Sequence, residues 1–121
     1  MKATITQRCI IQDIPVDIDC DCRFIFFCKL EDGNWKAQYV RLFYEKDKVV
    51  PVDGKTVPEF SKDVLAKHTP GYQHLAAAQH ALGHKILEGL PDACNDGFFK
   101  MYDAMADWLE GKDVDLFWDK K

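Results

Sequence analysis

The alternation of side chains between Val16 and Cys28 constrains this chain more than any other feature. The even positions Val16, Ile18, Cys20, Cys22, Phe24, Phe26 and Cys28 are all apolar. Between them Asp17, Asp19, Asp21 and Arg23 are polar, before Ile25 and Phe27 turn the odd positions apolar as well. Successive side chains of a strand point to opposite faces. The spacing therefore predicts a strand from Val16 to Leu30 with one face dry along its whole length. The other face is wet at one end and covered at the other.

The flanking segments extend this strand into a meander. Ala3 to Ile11 is rich in Thr and Ile, and Gln12-Asp13-Ile14-Pro15 interrupts it. Glu31-Asp32-Gly33-Asn34 carries the Asp-Gly signal of a tight hairpin, and a third strand is expected from Trp35 to about Glu45. With Asp32-Gly33 as the turn, Leu30 faces Trp35, Phe26 faces Tyr39 and Phe24 faces Arg41. On the wet face Asp19 meets Lys46 and Asp17 meets Lys48. With Asp13-Ile14 turning the first hairpin, Arg8 meets Asp19. Both registers bring opposite charges together across strands, which favours the pairing independently of the apolar pattern.

Beyond Pro51, Gly54 and Pro58 the period changes. A short helix is expected from Ser61 to Lys67, broken by Thr69-Pro70-Gly71. A longer one is expected from Tyr72 to about Glu88, with Tyr72, Leu75, Ala78, Gln79, Leu82 and Ile86 along one stripe and Gly83 inside it. Asp96 is the expected cap of a last helix, Gly97 to Glu110, in which Phe98, Met101, Met105 and Trp108 share a face and Gly111 supplies the stop. The apolar tail Val114-Asp115-Leu116-Phe117-Trp118 is expected to dock. The fold class is α+β: a curved antiparallel meander of about three long strands packed with C-terminal helices. One domain spans 1–121, and 112–121 form its tail.

The chain has 121 residues and a hydrophobic content of 47%, enough for one real core and too short for two full domains. A formal net charge of −4 without clustered Lys and Arg makes nucleic acid a poor partner. No run reaches bilayer length, and the N-terminus lacks the apolar stretch of a signal peptide, so no membrane partner and a cytoplasmic location are the expectations. Five cysteines, an odd count without a secretory signal, are read as reduced thiols. No Gly-rich phosphate loop is present, and no cofactor is expected.

Specific strings carry a family resemblance. Asp19-Cys20-Asp21-Cys22-Arg23-Phe24, then Trp35, Tyr39-Val40-Arg41, Tyr44-Glu45-Lys46-Asp47-Lys48 and Pro51-Val52-Asp53, resemble the sheet of fungal SnoaL-like proteins. Pro70-Gly71-Tyr72-Gln73-His74-Leu75-Ala76 is similar to their later part. These proteins belong to the nuclear-transport-factor-2-like superfamily, with polyketide cyclases, scytalone dehydratase and ketosteroid isomerase. The resemblance covers roughly Lys2 to Gly111 and implies a cone-like fold, here partial. The family's N-terminal helices and first strand, which form one wall of its pocket, have no counterpart, so the chain corresponds to the C-terminal portion of the family domain. The function implied is the binding of a small apolar or aromatic metabolite, with cofactor-free proton transfer of the lyase, cyclase or isomerase kind as its chemistry. The alternatives are a non-catalytic module that forms a homodimer or another interaction through an open sheet, or a degenerate fragment without activity. The resemblance does not decide whether the chain is an enzyme, and it identifies no catalytic base.

The candidate ligand-binding residues are Gln7, Tyr39, Arg41 and Glu45, which interrupt the apolar face of the sheet. In the register above Gln7 and Glu45 flank Cys20 from opposite sides. A few convergent polar groups on an apolar concave sheet suit a small hydrophobic molecule, and Tyr39 or Arg41 would polarise a carbonyl or enolate oxygen. The plainer reading is an ion pair of Arg41 with Glu45 or a helix carboxylate. Four other groups are read structurally. Asp17, Asp19 and Asp21 form solvated ion pairs rather than a cation site. Cys20 and Cys22 are small core residues, because a metal would need two further ligands. His80 and His84 are exposed. His68 and His74 lie near a turn from which a general acid–base would reach a pocket mouth. No metal is expected. The cluster Phe98, Met101, Met105, Trp108, Phe117 and Trp118 is a core stripe.

Overall fold

In a computed structural model describing residues 1–120, three long strands form one antiparallel sheet. These are β1 (Lys2–Ile11), β2 (Ile14–Glu31) and β3 (Asn34–Pro51), adjacent in chain order. Helices α1 (Lys62–Ala66), α2 (Gln73–Ala81) and α3 (Asp96–Leu109) follow, and a 3₁₀ turn, Trp118–Lys120, closes the described chain. The α+β meander expected from the alternation is the architecture found, with the curved sheet left unclosed.

The register differs from expectation in both hairpins. The first turn is Gln12-Asp13, with φ of 54° and 63°, rather than Asp13-Ile14. Arg8 therefore pairs with Asp17 instead of Asp19, and Gln7 with Ile18 instead of Cys20. Moving the turn by one residue shifts the ladder by two, so every side chain keeps its face. The non-glycine turn is held from afar: the Gln12 carboxamide donates to the Glu59 carbonyl at 2.8 Å and accepts from its N–H at 3.2 Å.

The second hairpin turns at Asp32-Gly33 as expected, with Leu30 opposite Trp35. Two irregularities then intervene, at Phe27/Cys28 and at Asp21/Cys22. At the first, β3 inserts Gln38, and Tyr39 pairs with Phe27, Arg41 with Ile25 and Leu42 with Phe24. At the second, β3 inserts Glu45, so Asp47 pairs with Cys20 and Lys48 with Asp19. Each bulge adds one residue and moves the side chains beyond it to the other face. Tyr39 and Arg41 thus lie opposite the odd positions of β2, not the even ones, and Glu45 does not face Cys20.

Each face of the sheet carries its own core. On one face Val16, Ile18, Cys20 and Cys22 are fully buried and pack with Tyr72, Ala76 and Ala78 of the α2 region. On the opposite face Phe27 and Phe43 pack with Met101, Ala104 and Leu116 of α3 and the tail. The dry surface predicted along all even positions of β2 ends near Phe24. Phe26 and Leu30 are 47% and 58% exposed, because α2 covers only the half of the sheet nearest the first hairpin.

The helices are shorter than their periodic stripes. α2 stops at Ala81, and Gly83 takes a φ of +84° just beyond it, so the stripe predicted through Ile86 is not helical. α3 is capped by Asn95, whose side chain accepts from Phe98 N–H at 3.0 Å; Asp96 is the first residue of the helix rather than its cap. The tail docks as expected, with Leu116 buried.

Later segments hydrogen-bond to the sheet where β2 runs on beyond β1 and along the outer edge of β3. Trp108 Nε1–H donates to the Cys28 carbonyl at 3.0 Å on the β2 edge, and Tyr44 N–H donates to Pro91 O at 2.8 Å on the β3 edge. At the second contact Gly71 lies so close that a β-carbon would stand 1.9 Å from the Tyr44 carbonyl oxygen. Gly71→Ala is therefore expected to destabilise the fold by about 1–3 kcal/mol through overpacking. Gly33→Ala, strained by a φ of +78° but facing open space, is expected to cost about 1 kcal/mol. Urea midpoints of the two variants test the order, and equal losses would remove the clasp at Tyr44.

Candidate functional site

The bulges divide the four sequence-selected residues between the two faces. Gln7 lies on the α2 face, where its side chain hydrogen-bonds to Gln79 of α2. Glu45, in the bulge, is held by Arg23 at 2.5 Å and Lys2 at 3.3 Å. Tyr39 and Arg41 are brought together on the α3 face around the tail. Tyr39 meets Trp108 and Phe117 edge-on, with centroids 6.0 and 5.9 Å apart. The Arg41 guanidinium lies 5.0 Å from the Trp118 ring centroid and 5.7 Å from that of Phe117.

Arg41 makes its ion pair with Asp119, a residue the sequence reading did not select. Two guanidinium nitrogens address the two carboxylate oxygens, and the side chains are 9% and 2% exposed. The fork geometry is the arrangement in which arginine binds a carboxylate most specifically. Beside it runs a cavity of about 190 Å³, bounded by Val40, Leu42, Leu87, Leu90 and Phe117. On the other side of Asp119 lies an open depression of about 710 Å³, reached by Trp118, Gly89, Asn95 and Lys100. A planar cation, aromatic rings and an apolar wall therefore converge where β3 meets the tail.

A second polar group, also unselected as a pair, lies on the α2 face. The fully buried side chain of Asp47 accepts from the backbone N–H groups of His74 and Leu75 at 2.7 and 2.8 Å, and its other oxygen is 2.8 Å from His74 Nδ1. A carboxylate supplied by β3 thus satisfies the free donors at the start of α2 and orients the His74 ring, which packs edge-on against Phe60. His68 stacks near Tyr72, and burial pulls its pKa below the usual value. His80 and His84 are exposed as expected, and only His80 is helical.

Cys20 and Cys22 are buried free thiols. The hydrogen bond Cys20 shares with Cys22, in which Cys20 keeps the proton, and then burial push the Cys20 thiol well above its usual range. Among the described residues no group of three His, Cys, Asp or Glu is placed to hold a metal ion.

On the wet face Asp17 receives two hydrogen bonds from Arg8, at 2.8 and 2.9 Å. Asp19 accepts from Thr6 and Asp21 from Thr4, at 2.7 and 2.6 Å. The Arg8 hydrogen bonds hold Asp17 below the ordinary carboxylate range, and the Thr4 hydroxyl does the same for Asp21. In the following turn Thr56 lowers Asp53 likewise.

A depressed folded pKa means that the unfolded chain binds more protons as pH falls. The stabilisation from these three groups is therefore complete above the ordinary value of 3.8 and is lost as pH drops through the lowered folded values. Urea midpoints measured from pH 6 to pH 2 are expected to fall in that window. The combined variant Asp17→Asn, Asp21→Asn, Asp53→Asn is expected to flatten the decline, and an unchanged profile would refute the assignment.

No family model matches the chain. Among curated proteins it is similar to pea pathogenicity protein 2 of Fusarium vanettenii, 35% identical over 124 residues, covering 96% of this chain and 53% of the relative. An uncharacterized protein of Emericella nidulans is 36% identical over 129 residues, covering 96% of this chain and 54% of the relative. Another, of Aspergillus terreus, is 39% identical over 114 residues, with coverages of 80% and 41%. The chain spans about half the length of the curated relatives it matches.

Proposed function

We propose that this chain is a SnoaL-like module that holds a small apolar or aromatic metabolite in the furrow beside Arg41. The observation that carries the reading is a nearly buried guanidinium at the end of an apolar wall, with Phe117 and Trp118 against it. Ligand sites combine mostly apolar linings with a few placed polar groups, and this furrow has that composition. Arg41 is the group that would orient a ligand oxygen, and Tyr39 flanks the same tail residue. If the module is catalytic, the reaction class is cofactor-free proton transfer. His74, oriented by Asp47, is then the acid–base candidate with the best-defined geometry, although it lies on the other face of the sheet. The furrow reading does not depend on catalysis.

Val40 stands at the mouth of the furrow and is 45% exposed, so Val40→Trp fills the space without entering the core. Binding of the neutral probe Nile red, followed by fluorescence titration, is expected to weaken at least tenfold in this variant while the melting temperature stays unchanged. Equal binding in both proteins would move the site elsewhere.

A second reading, an interaction module that pairs with another copy, has its own support. Phe26, Leu30, Trp35 and Val40, on the α2 face beyond the reach of α2, are each 45% or more exposed, Trp35 reaching 73%. Contiguous apolar surface of this kind marks interaction sites. Sedimentation velocity at rising concentration is expected to show a dimer that Trp35→Ser abolishes; a monomer throughout would refute this reading.

A further inference from the structure

We propose that Asp119 is a built-in competitor for a ligand carboxylate, and that the furrow beside Arg41 takes an aromatic or aliphatic carboxylic acid when the tail lifts. This rests on the furrow reading above and specifies both its ligand class and its control.

The ion pair is asymmetric in how its partners are held. Arg41 projects from β3, hydrogen-bonded within the sheet and fixed by the register of the Phe27/Cys28 bulge. Asp119 belongs to a three-residue 3₁₀ turn at the end of the described chain, past the last buried anchor, Leu116. Phe117 is 39% exposed. Among the described residues the buried Trp118 Nε1 finds no hydrogen-bond partner, which disfavours the docked tail. Beyond Leu116 the segment is held by the carboxylate fork to Arg41 and two rings against the same guanidinium, together with the edge-on contact of Phe117 with Tyr39 and the packing of Trp118 against the core around Phe27 and Phe43.

The position of Asp119 also matters. It borders both the 190 Å³ furrow and the 710 Å³ depression. It is thus the residue through which the two spaces adjoin the Arg41 pair. A ligand carboxylate would meet the same two guanidinium nitrogens, so the exchange replaces one fork-type bond by another of the same kind. The ligand's apolar body would lie along Val40, Leu42 and Leu90, where the tail carboxylate offers nothing.

A tethered competitor acts at an effective concentration on the order of millimolar. It therefore weakens the apparent affinity for an external acid while leaving a neutral ligand of the same shape almost unaffected.

The test compares 2-naphthoate with 2-naphthamide by isothermal titration, using wild-type protein and Asp119→Asn. Naphthoate is expected to bind at least tenfold more tightly to Asp119→Asn, naphthamide to be unchanged, and the added substitution Arg41→Gln to cancel the gain. Equal naphthoate affinity in wild type and Asp119→Asn, or an equal gain for naphthamide, overturns the competition and leaves the furrow reading standing. Binding of neither compound to either protein overturns both.

Should Asp119→Asn fail to fold, the wild-type protein still decides. Millimolar naphthoate is expected to shift the indole N–H resonance of Trp118, while naphthamide leaves it in place. Identical responses to the two compounds overturn the proposal.

Discussion

Two extra residues in β3, Gln38 and Glu45, determine what the rest of this structure does. Between them, Tyr39, Arg41 and Phe43 are turned to the α3 face; beyond them, Asp47 and Val49 return to the α2 face. Side-chain direction in a strand has a period of two, so one inserted residue reverses it and a second restores it. Without the first bulge, Arg41 would sit opposite Phe24 among the apolar residues packed beneath α2. Without the second, Asp47 would pair with a residue of the α3 face and could not reach the start of α2.

The same alternation explains why the sheet needs helices on both sides and why each covers only half of it. α2 lies over the end nearest the first hairpin, where the even positions of β2 are dry and the aspartates opposite them are solvated. α3 and the tail lie over the other end on the reverse face, where Ile25, Phe27 and Phe43 need cover. Neither helix carries its share alone. Asp47 supplies α2 with an anionic cap from the sheet, and Trp108 of α3 covers a sheet edge with its indole N–H. Secondary structure and tertiary contact are satisfied by the same polar atoms.

Much of this was legible in the sequence, and what was missed has a common physical cause. Alternation from Val16 to Cys22, the Asp-Gly turn, the α3 stripe and the docking tail follow from local patterns, and all are found. The first turn falls one residue earlier than the local pattern predicts, with Gln12 in a left-handed conformation and hydrogen-bonded to Glu59, 47 residues away. The mark of the bulges is that Tyr39, Arg41 and Glu45 interrupt the apolar face of an uninterrupted alternation, and this interruption reads as a ligand site as readily as a change of register. α2 was drawn too long because the apolar stripe continues past Ala81, while Gly83 ends the helix. For the site, the sequence selects Arg41 as a ligand-binding residue with an ion pair as the plainer reading, and an ion pair is found. Its partner was sought on the sheet or a helix and lies in the tail, because sequence position says little about which carboxylate a buried cation will meet.

The Arg41–Asp119 pair adds a different kind of constraint. Removing two charges from water is costly, and a buried ion pair generally does no better for stability than well-packed apolar residues of similar size. Closing the tail over the sheet would be served as well by another leucine beside Leu116. An ion pair differs from an apolar contact in being exchangeable: the guanidinium must be paired when covered, but any carboxylate of suitable shape can do it. An apolar latch would offer a ligand no such substitution. The charged latch therefore makes sense where the cation is sometimes to be paired by something other than the chain itself, and the apolar wall running from Arg41 to Leu90 gives the body of such a ligand somewhere to lie.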